Sequence, residues 1–414
     1  MNNIEIMSPV GSYESLMAAI QGGASSVYFG VGKLNMRSRS SQNFSLDDLD
    51  KIVKIASEHQ VKTYLTLNTV IFDAEMAEMQ LTIQRAKSAH ITAVIASDLS
   101  VIDYAHSQGI EVHISTQSNI TNLHAVKFFS QFADVMVTAR ELNLEQVASI
   151  VKEIEEQQIK GPSGKLVQIE IFVHGALCMA VSGKCYLSLD NMNYSANRGA
   201  CLQLCRRAYT VKDKDEGLEL DIDNEYIMSP KDLCTLEFLD KIIHAGVQVL
   251  KIEGRGRGPE YVKTVTRVYR QAADAILEKS FTSDKIDVWM KQLQGVYNRG
   301  FWDGYYLGRK TGEWTERYGS QATRKKIYVG KVTNYFSKLG VVEVKMESYE
   351  MSLKDDLLII GPTTGVEELN PEEIRVDLQP VATTRKGEMC SFKVPVLVRR
   401  GDKVYKLVEP TETY

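Results

Sequence analysis

The chain has 414 residues, which is enough for two or three domains with a substantial buried core. Its content of 44% hydrophobic and 25% charged residues is that of an ordinary globular protein and excludes a disordered or fibrous one. The net charge of −4 means that any nucleic-acid-binding surface must be local. No apolar run reaches the roughly 18 residues that span a bilayer, and the N-terminal residues lack the pattern of a secretory signal, so we expect a cytoplasmic protein without membrane contact.

Up to about residue 285, short β-rich runs alternate with amphipathic helical stretches. The runs that predict strands are Ile4–Ser8, Ser26–Phe29, Lys62–Asn68, Ala93–Ala96, Glu111–Ser115, Asp134–Val137, Val167–Val173 and Gln248–Ile252. Eight strands alternating with helices predict an α/β fold, a TIM-like (β/α)8 barrel over residues 1–285. An open, doubly wound sheet is the competing topology.

Polar and ionisable side chains follow the predicted strands, at the end of the barrel where enzymes of this fold carry their active sites. They are Asn68, Asp98, Ser115, Thr116, Gln117, Arg140, Glu141, His174, Glu253 and Arg255. Asp98 and Ser115 suit the capping of a following helix equally well. Gln117, Arg140 and Arg255 are poor caps and therefore favour a pocket.

Two later segments depart from the barrel pattern. Residues 174–234 form a cysteine-rich insertion after the seventh strand, and long loops of this kind are usually functional. Residues 286–322 form an aromatic and glycine-rich connector. Over residues 323–414, alternating hydrophobicity and turn residues predict a small antiparallel β-barrel.

Five of the six cysteines lie between Cys178 and Cys234, and four of them, Cys178, Cys185, Cys201 and Cys205, fall within 28 residues. Packing in a core explains one such cysteine more readily than four. Converging thiolates hold iron–sulfur clusters or a structural zinc ion, and the spacing alone does not separate these two. We therefore predict a metal site, preferably iron–sulfur, with five candidates for four ligand positions.

At these residues the chain resembles the collagenase-like peptidase family. The resemblance covers nearly the whole chain and is carried by Glu170–Cys178, Gly183–Ser188, Asn197–Arg207, Ser229–Cys234 and Lys251–Arg255. The chain departs from many relatives at Gly256–Pro259, where Met-Lys-Ser is usual. Some members of the family are described as collagenases or peptidases. Others bind a 4Fe–4S cluster and support oxygen-independent hydroxylation that requires prephenate.

By length and domain content, the chain most resembles the branch that hydroxylates the wobble uridine of tRNA. The resemblance implies an iron–sulfur-dependent, prephenate-dependent RNA hydroxylase, with Cys178, Cys185, Cys201 and Cys234 as ligands and Cys205 as the alternative fourth ligand. The alternatives are a collagenase-like peptidase and a non-catalytic, cluster-bearing RNA-binding scaffold. The absence of HExxH and GxSxG motifs speaks against proteolysis.

The remaining expectations concern substrate contacts. Residues 251–270 carry six basic and two acidic side chains, which favours RNA phosphates near the cysteines. We predict Glu253, Arg255 and His174 as catalytic residues. The predicted substrate-binding residues are Asn68, Gln117, Arg140, Arg198, Arg206 and Arg257. Arg140 and Arg255 suit the two carboxylates of prephenate, because a guanidinium group binds a carboxylate through two hydrogen bonds. The expected partners are tRNA and a small anionic metabolite, and a homo-oligomer or a related partner subunit is left open.

Overall fold

The computed structural model describes residues 4–39, 43–210, 226, 228–308 and 312–410. Its first part contains, in chain order, β1 (Glu5–Pro9), α1 (Tyr13–Gln21), β2 (Ser26–Phe29), α2 (Leu49–Glu58), β3 (Lys62–Leu67), α3 (Met76–Ser88), β4 (Ala93–Ala96), α4 (Leu99–Ser107), β5 (Glu111–Ile114), α5 (Leu123–Phe129), β6 (Val135–Val137), α6 (Leu144–Glu156), β7 (Gln168–Ala176), α7 (Leu187–Met192), β8 (Asp232–Cys234), α8 (Leu239–His244), β9 (Val249–Ile252), α9 (Pro259–Leu277), α10 (Ser283–Gln294) and β10 (Phe301–Trp302).

Strands β1–β7 and β9 form a closed parallel barrel. Neighbouring strands pair in chain order, and β9 pairs in parallel with both β1 and β7, which closes the ring. All four residues of β2 and of β4 are buried, as expected for parallel strands covered by helices on one side and by the barrel interior on the other. The prediction of a TIM-like barrel is confirmed, and the open sheet is excluded.

Short polar segments fix the starts of the outer helices. The Asp98 carboxylate accepts a hydrogen bond from the Ser100 amide at 2.9 Å and so caps α4. Asn143 and Gln146 form a reciprocal capping box at the start of α6. Asp98 was predicted either to line a pocket or to cap a helix, and the structure shows that it caps α4.

The cysteine-rich insertion leaves and re-enters the barrel at neighbouring points. The end of β7 pairs in antiparallel fashion with β8, so that Ala176 lies opposite Asp232 and His174 opposite Cys234. Strand β10 then adds in parallel to β8. Two short strands thus extend the barrel wall beside β7, whose predicted end at Val173 was three residues too early.

The C-terminal domain is an antiparallel sheet of eight strands: β11 (Lys325–Phe336), β12 (Val341–Met346), β13 (Asp356–Gly361), β14 (Gly365–Leu369), β15 (Ile374–Val376), β16 (Gln379–Val381), β17 (Met389–Lys393) and β18 (Lys403–Val408). The strand order is β14-β13-β18-β11-β12-β17-β15-β16. Its own core contains Val342, Leu357 and Cys390. The antiparallel β-domain is confirmed, although its edge strands β14 and β16 are not paired with each other among the described residues.

The two domains meet along the outer face of the barrel. The Gln21 side chain, at the end of α1, donates to the Thr364 carbonyl at 2.8 Å and accepts from the Val366 amide at 2.9 Å. Lys326 of the sheet pairs with Glu260 of α9 at 2.7 Å. Among the described residues, none of the helices combines the length and apolar character that crossing a bilayer requires.

Candidate active site at the carboxyl end of the barrel

A cavity of about 920 Å³ opens at the C-terminal ends of the barrel strands. The segments after β3, β5, β6 and β9 contribute to its lining, together with the insertion that follows β7. The predicted residues that line it are Asn68, Gln117, Arg140, Cys178, Cys185, Cys201, Cys205, Arg206, Glu253, Arg255 and Arg257. Ser115 and Thr116 also line it, whereas five predicted residues, Asp98, Glu141, His174, Arg198 and Cys234, do not.

Glu253 lies near the floor of the cavity and is held by two donors. Arg37 Nη2 donates to one carboxylate oxygen at 2.8 Å, and the Ala176 amide donates to the other at 3.3 Å. Burial alone would raise the pKa of Glu253, but the positive charges of Arg37 and Arg257 outweigh it and lower the pKa to about 2. Glu253 is therefore ionised near neutral pH and fixed in orientation.

Arg255 and Lys251 are the most buried charged residues of the cavity lining, with only 6% and 4% of their surface exposed. Arg255 Nη1 donates to the Thr66 hydroxyl at 2.9 Å, and burial lowers the pKa of Arg255 to about 10. Lys251 Nζ lies 2.6 Å from the buried Glu170 carboxylate. At the floor, Lys251 is therefore paired with a carboxylate, whereas the hydrogen bond described for Arg255 is with a neutral hydroxyl group.

Arg140 and Arg257 lie against aromatic rings in the cavity wall. The Arg140 guanidinium is 4.0 Å from the centre of the Phe172 ring, and that of Arg257 is 3.6 Å from the centre of the Tyr297 ring. Arg140 Nη1 also donates to the Ala176 carbonyl at 3.2 Å. Stacking fixes the plane of a guanidinium while leaving its edges available for hydrogen bonds to an anion.

Two buried polar atoms of cavity-lining residues have no hydrogen-bond partner among the described residues. They are Thr116 Oγ1 and Arg140 Nε. Buried polar groups in folded proteins are nearly always paired with protein or with ordered water. A bound molecule at this end of the barrel would meet such unpaired atoms.

Four cysteine thiols line the same cavity: those of Cys178, Cys185, Cys201 and Cys205. Burial raises the pKa of the Cys205 thiol, Arg206 opposes that effect, and the other three sulfurs add to it, so each of the three lies within electrostatic reach of Cys205. Within the described residues, no three His, Cys, Asp or Glu side chains are arranged as a ready metal-ligand group. The four thiols thus border the same cavity, but their positions are not those of ligands around one metal ion.

Cys234 points away from these four cysteines. It lies in β8, is buried, and has its sulfur 3.8 Å from the Tyr269 hydroxyl and 3.9 Å from the Met290 sulfur. Burial raises the pKa of its thiol to about 11. Of the two alternatives for a fourth ligand, the arrangement of side chains favours Cys205.

His174 is enclosed by aromatic side chains behind the cavity wall. Its Nδ1 lies 3.3 Å from the Tyr269 hydroxyl, and its ring packs against Tyr261 and Phe301. Burial lowers the pKa of His174 to about 3, so the imidazole is neutral near pH 7. A catalytic role for His174 stays a prediction that its position does not favour.

Arg198 and Arg206 anchor the insertion. Arg198 pairs with both carboxylate oxygens of Glu75 at 2.5 Å. Arg206 donates to the Leu177 and Pro230 carbonyls, each at 2.6 Å. Arg206 still borders the cavity, whereas Arg198 lies at a smaller, separate cavity of about 300 Å³. The contacts of Arg206 hold two backbone carbonyls in place, and the pair of Arg198 with Glu75 ties the insertion to the segment before α3.

Asn68 and Gln117 border the cavity but are partly used within the chain. The Asn68 side-chain oxygen accepts from the Met36 amide at 3.1 Å. The Gln117 side-chain oxygen accepts from the Ser115 hydroxyl. Farther along the chain, Lys263 of α9 donates to the Val366 carbonyl of the C-terminal domain, so part of the basic run at 251–270 serves domain packing.

Sequence reasoning missed Arg37, Lys251 and Arg299 as cavity residues. A signal for Lys251 was present in the sequence. Lys251 is a charged residue within the apolar strand β9, and it lies on the same face as the buried Val249, two residues earlier. Arg37 had no such signal, since it lies in an irregular segment after β2 and reaches Glu253 only through the closure of the barrel.

A model described as peptidase family U32 matches residues 11–316. A protein of Porphyromonas gingivalis named collagenase is 58% identical over 406 residues, 98% of either chain. A 23S rRNA 5-hydroxycytidine synthase of Escherichia coli is 36% identical over 75% of this chain and 46% of its own. A protein of Bacillus subtilis named tRNA hydroxylation protein P1 is 29% identical over 86% and 83% of the two chains.

Proposed function

This chain belongs to peptidase family U32, as its sequence motifs had indicated, and we propose that it is a cytoplasmic enzyme that hydroxylates RNA. The proposed reaction is the prephenate-dependent 5-hydroxylation of the tRNA wobble uridine, supported by an iron–sulfur cluster. The observation that carries this proposal is that four thiols and an excess of basic side chains line the same cavity. The names of the Escherichia coli and Bacillus subtilis relatives agree with an RNA substrate.

The charge of the cavity suits a polyanion. Its basic residues are Arg37, Arg140, Lys184, Arg206, Lys251, Arg255, Arg257 and Arg299, and its acidic residues are Asp190 and Glu253. Two of the basic groups, Lys251 and Arg299, also pair with Glu170 and Asp232, which lie outside the lining. Eight basic groups against these four acidic ones leave an excess of four positive charges, in a protein whose net charge is −4. Such local charge attracts phosphates and carboxylates.

The donor chemistry of the cavity fits an iron–sulfur cluster. Cysteine thiolates are the usual ligands of such clusters, and Cys178, Cys185, Cys201 and Cys205 are the residues that would hold one here. Such a cluster would supply one-electron chemistry. Arg206 would oppose the negative charge that accumulates when several thiols lose their protons, because among the charged groups it has the largest influence on the pKa of Cys205.

The protein groups of the floor would bind and orient the small anion. Arg140 and Arg255 offer guanidinium groups at the ends of β6 and β9, which suits a ligand with two carboxylates such as prephenate. Glu253 keeps Arg37 in place and stays ionised, so in this proposal it positions the arginines and does not hold a proton for transfer.

The proposal is tested in cells by deleting the gene and analysing tRNA nucleosides by mass spectrometry. We expect the 5-hydroxylated wobble uridine to disappear and to return with the wild-type gene. Complementation with the Arg140→Ala or the Arg255→Ala variant should fail, while Arg39→Ala, outside the main cavity, should succeed. Unchanged wobble uridines in the deletion strain would overturn the RNA-hydroxylase proposal.

A peptidase is the second candidate, because the relative that is 58% identical carries the name collagenase. A cysteine peptidase needs a base beside its thiol. Among the described residues, no histidine lines the cavity, and His174 is turned toward Tyr269. Incubation of the anaerobically purified protein with gelatin and with native collagen separates the two candidates, and we expect neither substrate to be cleaved.

A further inference from the structure

Two tyrosines at the opening of the cavity have no part in the chemistry argued so far. Tyr186 and Tyr318 both line the cavity, yet 75% and 73% of their surface is exposed. The floor residues Lys251 and Arg255 are 4% and 6% exposed. Since the same cavity includes buried and highly exposed residues, the two tyrosines lie at its rim.

The rim tyrosines come from two separate segments of the chain. Tyr186 follows Cys185 and immediately precedes α7 in the cysteine-rich insertion, whereas Tyr318 lies in the connector between β10 and β11. Two independent segments therefore each present an exposed aromatic ring to one opening. Solvent-exposed rings brought together in this way are typical of a recognition surface.

Neither rim tyrosine has a ring contact or a side-chain hydrogen bond with another described residue. Other tyrosines of the cavity are engaged: the Tyr28 hydroxyl donates to the Ile252 carbonyl at 2.8 Å, and Tyr297 stacks under Arg257. The two rim rings are thus available to a ligand on their faces, while the deeper tyrosines help to build the wall.

We propose that Tyr186 and Tyr318 form a stacking rim for unpaired RNA bases. This inference rests on the proposed function and names the form of RNA that the site accepts. An aromatic ring beside a basic groove is the usual means of holding single-stranded nucleic acid, and stacking contributes about 1–3 kcal/mol per base. A base that undergoes chemistry in a buried site must leave its helical stack, and the rim rings replace the lost neighbours.

The cavity charges and the rim then have different tasks. Basic side chains such as Lys184 attract the phosphates, and this attraction weakens with added salt. Stacking on Tyr186 and Tyr318 releases no counterions, so it contributes affinity without changing the salt dependence. The rim also disfavours a fully paired duplex, because its bases cannot present their faces.

The test uses the full-length protein, purified anaerobically, and a fluorescent RNA hairpin with uridines in a seven-nucleotide loop. Fluorescence anisotropy gives Kd at several salt concentrations for the wild type and for Tyr186→Ala, Tyr318→Ala, Tyr186→Phe and Tyr318→Phe. Tyr349→Ala is the matched control, because Tyr349 is 62% exposed but does not line the cavity.

We expect each rim alanine variant to weaken hairpin binding about 5- to 150-fold, in line with ~1–3 kcal/mol per stacked base. The slope of log Kd against log salt concentration should stay as in the wild type. The phenylalanine variants should restore affinity, and Tyr349→Ala should bind as the wild type does. Lys184→Ala, in contrast, should lower the slope.

Three results would overturn the stacking rim while leaving RNA hydroxylation intact. They are alanine variants that bind the hairpin normally, phenylalanine variants as weak as the alanine variants, and a wild type that binds a fully paired duplex of the same sequence equally well. A wild-type protein that binds no RNA at all, but binds a peptide that the rim alanine variants release, would instead contradict the proposed function.

Discussion

Arg37 controls the charge of Glu253 at the floor of the cavity. The carboxylate is mostly buried, with 12% of its side chain exposed, and its oxygens accept from Arg37 and from the Ala176 amide. A carboxylate whose pKa is lower in the folded than in the unfolded protein stabilises the fold above its unfolded pKa of about 4.3. That contribution is lost as the pH falls toward 2, the folded pKa of Glu253.

Replacing Arg37 with methionine removes the main positive partner of Glu253 and should raise its pKa. We expect the free energy of unfolding at pH 7 to fall by about 2 kcal/mol, less than the ~3–5 kcal/mol of a fully buried pair because Arg37 is 29% exposed. Urea unfolding between pH 3 and 7 measures this. The difference from the wild type should shrink toward pH 3. A difference that stays constant with pH would contradict the pairing, and Arg39→Met serves as the control.

The fourth ligand of the proposed iron–sulfur cluster is identified by comparing two single substitutions. Cys205→Ala should lose most of its iron and sulfide, since Cys205 shares the cavity with the other three thiols. Cys234→Ala should keep them, because its thiol faces Tyr269 and Met290. Iron and sulfide analysis after anaerobic purification measures both. Retention in the first variant and loss in the second would reverse the assignment.

At the scale of elements, the cysteine-rich insertion depends on a close contact at Gly199. This residue has φ +77°, and a Cβ atom there would overlap the Asn35 carbonyl oxygen and the Ser38 hydroxyl. The Ser38 hydroxyl also donates to the Gly199 carbonyl at 3.1 Å. The insertion is thus fitted against the segment after β2, which also carries Arg37.

Gly199→Ala should detach the insertion from this segment. Limited proteolysis should then cut within residues 177–231 much faster than in the wild type, and the iron content should fall. Gly164→Ala is a closely matched control, because Gly164 also has φ +77° but a Cβ atom there would meet nothing within 4 Å. Both variants carry the backbone strain of ~1–2 kcal/mol, so only the steric overlap distinguishes them. Equal proteolysis of the two variants would rule out the contact as the cause.

The barrel strands were predictable because their signal is local: each is a short apolar run between turn residues and helical periods. β8 and β10 were not, since a strand of three or two residues has no periodicity and is defined by its partner. Because strand ends can be read from local sequence, the residues that follow them, such as Arg140 and Arg255, were correctly predicted to line the cavity. The direction of the Cys234 and His174 side chains depends on packing against α9, which no local pattern encodes.

At the scale of the whole molecule, the C-terminal sheet supports the barrel from outside. Among the described residues, none after Tyr318 lines the cavity. The contacts of Gln21 with the Thr364 carbonyl and the Val366 amide instead tie β14 to α1. This arrangement predicts that weakening the domain contact changes stability but not ligand binding.

Gln21→Ala removes both hydrogen bonds and should lower the free energy of unfolding by about 1–3 kcal/mol, because the contact is half-buried. The affinity for the RNA hairpin should stay unchanged. Chemical denaturation and anisotropy measure the two effects. Gln131→Ala, at an exposed glutamine whose side chain donates to the nearby Phe128 carbonyl, should alter neither. Loss of RNA affinity in Gln21→Ala would mean that the sheet acts on the cavity.

The antiparallel pairing of Ala176 with Asp232 makes the cysteine-rich insertion suited to exchange between related chains. The insertion departs from the barrel and rejoins it at directly opposed residues, so its two ends are already as close as those of a hairpin turn. A segment with adjacent ends can be shortened or replaced at little cost in chain entropy. Residues 177–231 are therefore exchangeable as a unit: one scaffold would accept the corresponding segment of a homologue and, with it, a different set of thiols and a different residue at the position of Tyr186.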